Sequence, residues 1–245
     1  MIRKSLFLTL LLFGLFTITQ AQETSLNSGA DFMSRYVWRG LQLGGSSPSI
    51  QPSLEFTAGN FTAGTWGALS VSNNLTVQET DLYLSYSIKE MFSVTVTDYF
   101  LPDESLARNN YLEWKEDNTG HLLEASASFL GTDSIPITFL AAVNFWGADA
   151  RHANNKKQYS TYFELGYHGT CKEVEYNIFI GGTPTNPDSE AGETGYYGPE
   201  AGITNIGITA IKNIAITDKF TLPVSTSFII NPQSENVYLV FGITL

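Results

Sequence analysis

From Glu235 to Leu245 the chain places Val237, Leu239, Phe241, Ile243 and Leu245 at every second position. Tyr238, Val240, Gly242 and Thr244 fill the positions between them. Side chains of an extended strand point alternately to opposite faces, so this spacing makes one face wholly apolar. An apolar strand at a chain end must be paired and covered to be stable. The spacing therefore predicts a closed barrel, with this strand sealed against the first so that neither leaves an edge.

The same period of two recurs along the chain. Over 30–41, Phe32, Tyr36 and Trp38 oppose Asp31, Arg35 and Arg39. Ile50, Leu54 and Phe56 oppose Gln51, Ser53 and Glu55, with Gly59-Asn60 as the following turn. Over 77–89, Leu82, Leu84, Tyr86 and Ile88 oppose Glu79, Asp81, Tyr83, Ser85 and Ser87. Phe92, Val94 and Val96 oppose Ser93, Thr95, Thr97 and Tyr99. Further on, Leu123, Ala125, Ala127 and Phe129 oppose Glu124, Ser126 and Ser128, and Ile137, Phe139, Ala141, Val143 and Phe145 oppose Thr138, Asn144 and Trp146. Tyr159, Phe163, Leu165 and Tyr167 oppose Ser160, Tyr162, Glu164 and His168, while Val174, Tyr176, Ile178 and Ile180 oppose Glu175, Asn177 and Phe179. With 61–71, 202–216, 220–230 and the last strand, about twelve strands are predicted. Pro52 and Pro223 fall inside two of them, where a missing N–H marks an edge or a bulge.

The connections alternate as well. Brief turns occur at 59–60, 89–90, 131–134, 169–172 and 217–219, and long polar loops at 102–118, 148–157 and 183–199. Turns on one rim and loops on the other are the arrangement of an outer-membrane barrel, with the turns periplasmic.

The opening of the chain reads as an export signal. Arg3 and Lys4 precede an apolar run from Leu6 to Ile18, and Thr19-Gln20-Ala21 gives a small-x-small cleavage site. The expected organisation is a cleaved secretory signal peptide over 1–21 and one outer-membrane barrel domain over 22–245. Without Arg3 and Lys4 the charge is about −13, from 24 acids and 11 bases, which argues against nucleic acid as a partner. Cys171 is the one cysteine, so no intrachain disulfide forms.

Alternation alone fits a soluble β-sandwich equally well. Charged residues make up only 15% of the chain, against roughly a quarter in ordinary soluble domains. Tyr36, Trp38, Tyr86, Tyr159, Tyr167 and Tyr176 lie near apolar-face strand ends, as interface girdles require. The predicted fold is thus an all-β, transmembrane, antiparallel up-and-down barrel. A Lys or Arg at mid-depth on a lipid face costs about 2–4 kcal/mol. Arg35, Arg39, Glu55, Glu79, Asp81, Glu124, Glu164 and Glu175 share the other face and are expected in the lumen. Tyr83, Tyr99, Trp146 and Phe179 are expected beside them as the bulk that sets its width. Val237, Leu239, Phe241, Ile243 and Leu245 form the barrel-closing apolar face.

The segment Met33-Ser34-Arg35-Tyr36-Val37-Trp38-Arg39-Gly40-Leu41, followed by Pro48-Ser49-Ile50-Gln51-Pro52-Ser53-Leu54, resembles the opening of the TorF family of porins. The likeness continues through Asp81-Leu82-Tyr83-Leu84-Ser85-Tyr86, Thr97-Asp98-Tyr99-Phe100, Asn205-Ile206-Gly207 and Ile216-Thr217-Asp218-Lys219-Phe220. With the closing Tyr238-Leu239-Val240-Phe241-Gly242, it is similar to the family's Bacteroidetes-like members. The resemblance implies an outer-membrane barrel with a pore function and names neither substrate nor catalytic residue. The last strand is also similar to those through which bacterial barrels engage their assembly machinery, although these usually end in Phe or Trp rather than Leu.

The expected function is a porin-like channel for passive diffusion of small solutes in the outer membrane of a Gram-negative bacterium. Its lumen is net acidic and so prefers cations or neutral solutes. Arg35 and Arg39 either form a basic strip across from the acids or pair with Glu55 and its neighbours. Expected partners are outer-membrane lipid and lipopolysaccharide, the barrel-assembly machinery through the C-terminal strand, and small solutes. A closed barrel acting as a surface scaffold or adhesin through its long loops is the alternative. A barrel-embedded lipid hydrolase is a further one, with Ser160, Glu164 and His168 as a relay, although the chain lacks a Gly-x-Ser-x-Gly elbow. The loop acids Asp103, Glu104, Glu113, Glu116, Asp117, Asp188, Glu190, Glu193 and Glu200 read as a solvated surface, with divalent cations bridging lipopolysaccharide phosphates, or a guard at the mouth, as the functional alternatives. No cofactor, metal or catalytic residue is predicted.

Overall fold

The computed structural model describes residues 23–71, 78–102 and 110–245. The leader expected over 1–21 and the loop acids Asp103 and Glu104 lie outside the described residues.

Strand β1 (Thr24–Met33) is followed by a short hairpin, β2 (Tyr36–Trp38) and β3 (Leu41–Leu43). Then come β4 (Ser49–Ala58), β5 (Phe61–Ser70), β6 (Gln78–Ile88), β7 (Phe92–Phe100), β8 (His121–Phe129) and β9 (Ile137–Gly147). The chain continues as β10 (Thr161–Cys171), β11 (Val174–Thr183), β12 (Gly202–Thr217), β13 (Phe220–Asn231) and β14 (Asn236–Thr244). All but β2 and β3 join one closed antiparallel barrel of twelve strands, each beside its neighbour in sequence. The expected architecture is present.

Period-two patterning builds the wall. In β6, Leu82, Leu84, Tyr86 and Ile88 are exposed on the outside, while Glu79 and Asp81 are buried inside. In β14, Val237, Leu239, Phe241 and Ile243 are exposed, and Tyr238 and Val240 are buried. A continuous belt of exposed Leu, Ile, Val and Phe is the surface of a barrel set in a bilayer. Tight reversals join strands at one rim: Lys89 and Glu90, at φ 53° and 58°, supply the two positive-φ positions of a type I′ hairpin turn. Pro52 pairs with Ala30 of β1 where pairing to β5 lapses, and Pro223 pairs with Asn213 just beyond the last β13–β14 partners. Neither missing N–H interrupts a ladder.

The closing pair is the shortest in the ring. β1 meets β14 through Asp31–Thr244, Phe32–Ile243 and Met33–Gly242 only, whereas it follows β4 from Thr24 to Met33. Backbone bonds between Ala30 and Leu245, and from Ser34 N to Phe241 O, extend that joint slightly.

The first expected strand corrects the sequence reading. It stops at Met33 instead of running to Leu41, and the chain turns into the barrel as the β2–β3 hairpin. Tyr36 and Trp38 accordingly pack on Trp66 and Tyr99, and do not join an interface girdle. The interior is prepared for them. Val37 packs on Phe179, Ile229, Tyr238 and Val240, and Trp38 and Leu41 pack on Ala142, Tyr162 and Tyr197. Apolar side chains on lumen positions gain by being covered, at about 25 cal/mol per Å².

Candidate functional site

The hairpin tip is fixed by its backbone before any side chain acts. Arg39 and Gly40 take φ 50° and 79°, the two positions of a type I′ turn. An arginine there carries roughly 1–3 kcal/mol of strain, so the surroundings must hold it. Asn231 Nδ2 donates to Gly40 O at 3.0 Å and Thr204 Oγ1 donates to Arg39 O at 3.3 Å. Position 40 admits glycine alone, because a Cβ would stand 1.8 Å from Thr204 O.

This tip delivers Arg39 to Glu124 on β8. The guanidinium grips both carboxylate oxygens, Nη2 reaching Oε1 at 2.9 Å and Nη1 reaching Oε2. The planar fork of arginine matches a carboxylate in this bidentate way. Tyr99 donates to Glu124 Oε1 at 3.1 Å and Tyr197 to Oε2 at 3.3 Å. Arg39 also lies 4.3 Å from the Trp38 ring centre and 4.7 Å from that of Tyr162. Glu124 is 2% exposed. Tyr196 and Tyr197 enter from the loop between β11 and β12, and burial pushes both hydroxyls well above the ordinary phenol range, so they stay neutral.

The other expected lumen residues divide. Glu55, Glu79, Asp81, Tyr83, Tyr99, Glu124, Glu164 and Glu175 all lie on inward-facing strand positions, Glu175 at the turn rim. Glu164 accepts bonds from Tyr162 and from Asn205 at 2.8 Å. Tyr83 folds across Gly64, where a Cβ would stand 2.3 Å from its ring. Arg35 is not on the wall and donates to Gln42 of the hairpin at 2.8 Å. Neither arginine pairs with Glu55; Arg39 goes to Glu124 instead.

Trp146 is placed outside, opposite to expectation. The β8–β9 register slips between Leu123 and Glu124, so Leu123 faces Trp146 while Glu124 faces Asn144. This bulge at Phe145 reverses the alternation. On the outer wall Trp146 stacks on Trp114, which in turn lies 4.1 Å from the His121 ring. His121 is clamped between Asp98, at 2.9 Å, and Tyr111 O, at 2.7 Å.

The relay considered for a hydrolase is not assembled. Ser160 and His168 lie eight positions apart on one extended run, a separation of roughly 25 Å. Among the loop acids, Glu116 pairs with Lys157, Asp117 with Arg151 and Glu193 with His152. Among the described residues no cluster of three or more metal-ligating side chains occurs.

Sequence reasoning missed the hairpin with the apolar patch that receives it, and it missed Tyr196 and Tyr197. The signal was there: Phe179, Ile229, Tyr238 and Val240 are apolar residues on lumen positions, and some partner had to cover them.

Residues 19–128 match the model of a family described as bacterial protein of unknown function (Gcw_chp). The match ends within β8 and includes the hairpin and Glu124. No curated protein matches the chain. Among solved structures, the chain is similar to the KdgM porin at 9% identity, covering 88% of this chain and 97% of that one, with a TM-score of 0.46. An outer membrane channel from Pseudomonas putida F1 aligns at 9% identity over 92% and 94%, TM-score 0.43. A triple mutant of Rhodopseudomonas blastica porin aligns at 10% identity over 91% and 99%, TM-score 0.37. Likenesses this distant transfer no site residue.

Proposed function

We propose that this protein is an outer-membrane channel for passive passage of small solutes, narrowed at its loop end by the β2–β3 hairpin. The supporting observation is a closed ring with an apolar outside and an inside that changes character along its length. Packed aromatic and charged groups fill the loop end, and serines and threonines line the turn end. The turn rim faces the periplasm and the loop rim the exterior. The motif that resembles TorF-family porins, Tyr36-Val37-Trp38-Arg39-Gly40, is the narrowing element itself.

Lumen acids outnumber bases. Glu55, Glu79, Asp81, Glu164 and Glu175 have no ion pair with a basic side chain among the described residues, and Arg39 is neutralised by Glu124. A bore of this sign favours cations. Purified protein in planar bilayers is expected to give discrete conductance steps, with a reversal potential in a KCl gradient displaced toward the potassium potential. Anion selectivity would overturn the acidic-lumen assignment. The filled loop end also favours a second reading, a closed barrel presenting its loops as a surface scaffold; complete absence of steps supports that one.

A further inference from the structure

We infer that the cavity between the hairpin and strands β6 and β7 is a binding site for a small organic ammonium ion. It measures about 270 Å³ and is lined by Trp38, Leu41, Leu43, Glu79, Tyr99, Leu101 and Tyr196. The site deepens the channel reading by naming a solute class, and it rests on that reading for the ligand's route of entry.

Three features carry the assignment. Glu79 is 4% exposed, and its Oε2 has no hydrogen-bond partner. Asp81, two positions on along the same inner face, is 5% exposed, and its Oδ1 is likewise without a partner. No basic side chain among the described residues forms an ion pair with either acid. Glu79 shares side-chain hydrogen bonds with Tyr36 and Asp81, but the two adjacent buried carboxyl groups have no cation of their own, and one that entered the cavity would be stabilised there.

The walls decide what sort of cation answers that demand. Trp38 lies 5.6 Å from Tyr99 and 6.3 Å from Tyr196, at interplanar angles of 66° and 88°. Rings meeting so steeply form the sides of a box, not a stack. Aromatic boxes hold alkylated ammonium groups through the ring quadrupole, and Leu41, Leu43 and Leu101 suit the alkyl substituents. A hard metal ion would need about six oxygen ligands, which these walls do not offer. A neutral sugar would leave its hydroxyls facing leucine. The volume, at the small end for ligand sites, excludes a large solute. Trp38 and Tyr197 already hold one cation, Arg39, whose charge Glu124 balances, so a second cation meets little net repulsion.

The test uses the full barrel folded in detergent, with choline as probe and 3,3-dimethyl-1-butanol as its uncharged isostere. Titration calorimetry is expected to show saturable choline binding, and at least about tenfold weaker binding of the isostere. Glu79→Gln should weaken choline about tenfold. Tyr196→Ala, which removes a loop-borne wall and leaves every strand intact, should weaken it about fivefold. Equal binding of both probes, no binding of choline, or binding unchanged in both variants would overturn the site. Conductance is recorded separately. Choline binding in a barrel that never conducts sinks the channel and keeps the site, and conduction without choline binding does the reverse.

Discussion

At the turn end of the lumen, Thr57 meets Thr62 at 3.1 Å, and Ser85–Thr95 and Thr209–Ser227 meet at 2.8 Å. Each pair joins residues directly opposite on adjacent strands. At the loop end the cross-section holds Arg39, Glu124, Tyr162 and Tyr197, drawn from a hairpin, two distant strands and a loop. Small hydroxyls satisfy one another locally and leave the middle of the bore alone. The loop end relies on long-range partners for its central charged groups, Arg39 with Glu124 and Glu164 with Asn205. On the proposed channel reading, width and stability are set at different places: the hairpin would govern passage and carries the costly burial, and the hydroxyl half is a tolerant sleeve.

The hardest blow to this contrast is removal of the hairpin. Replacing residues 36–43 by a short glycine link should raise single-channel conductance severalfold while the barrel keeps its heat-modifiable migration on gels. Unchanged conductance would mean that the hairpin does not limit passage, and the two halves would then be equivalent.

Next in size is the difference in mutational cost. Glu124→Gln leaves Arg39 buried without its counter-charge and should cost about 3–5 kcal/mol, much of it recovered in the Arg39→Met/Glu124→Gln double variant. On the other half, Thr95→Ala should cost about 0.2–1 kcal/mol. Denaturant unfolding in detergent measures all three, and similar costs for Glu124 and Thr95 would erase the distinction.

The smallest effect lies outside the lumen, on the loop rim. The Glu193 carboxylate accepts bonds from Asp188 N at 2.9 Å, Ala153 N at 2.7 Å and His152 Nδ1 at 2.9 Å. The two backbone donors first, then the histidine, hold its pKa down at about 2, against an ordinary 4.5. A carboxyl whose folded value is lowered adds stability above the unfolded value and loses it as pH falls through the folded one. This clasp between the 148–160 and 184–201 loops should therefore loosen between about pH 4.5 and 2. Limited pepsin digestion across that range should show rising cleavage near Glu193, and Glu193→Gln should flatten the dependence.

The barrel was legible in the sequence because lipid outside and polar bore inside impose one rule on every spanning strand. Glu79 and Asp81 against Leu82 and Leu84 could be sorted by parity alone. Two things escaped that rule. The Phe145 bulge moved Trp146 to the outer wall, and one extra residue leaves no mark in a run of aromatics and small side chains. The hairpin escaped because Tyr36-Val37-Trp38 alternates like any strand, while its inward course depends on Arg39 finding Glu124, 85 residues later. Local pattern reports the face that a side chain takes on its own ribbon; it carries no record of which ribbon leaves the wall.

The joint between β1 and β14 has a mechanical meaning. A hoop fastened by a few rungs where its neighbours have many parts there first, whether pulled, heated or newly forming. Assembly then ends, and failure begins, where Ala30 clasps Leu245, beside the hairpin's own root at Ser34. Whatever strains that fastening also tugs on the stopper in the bore.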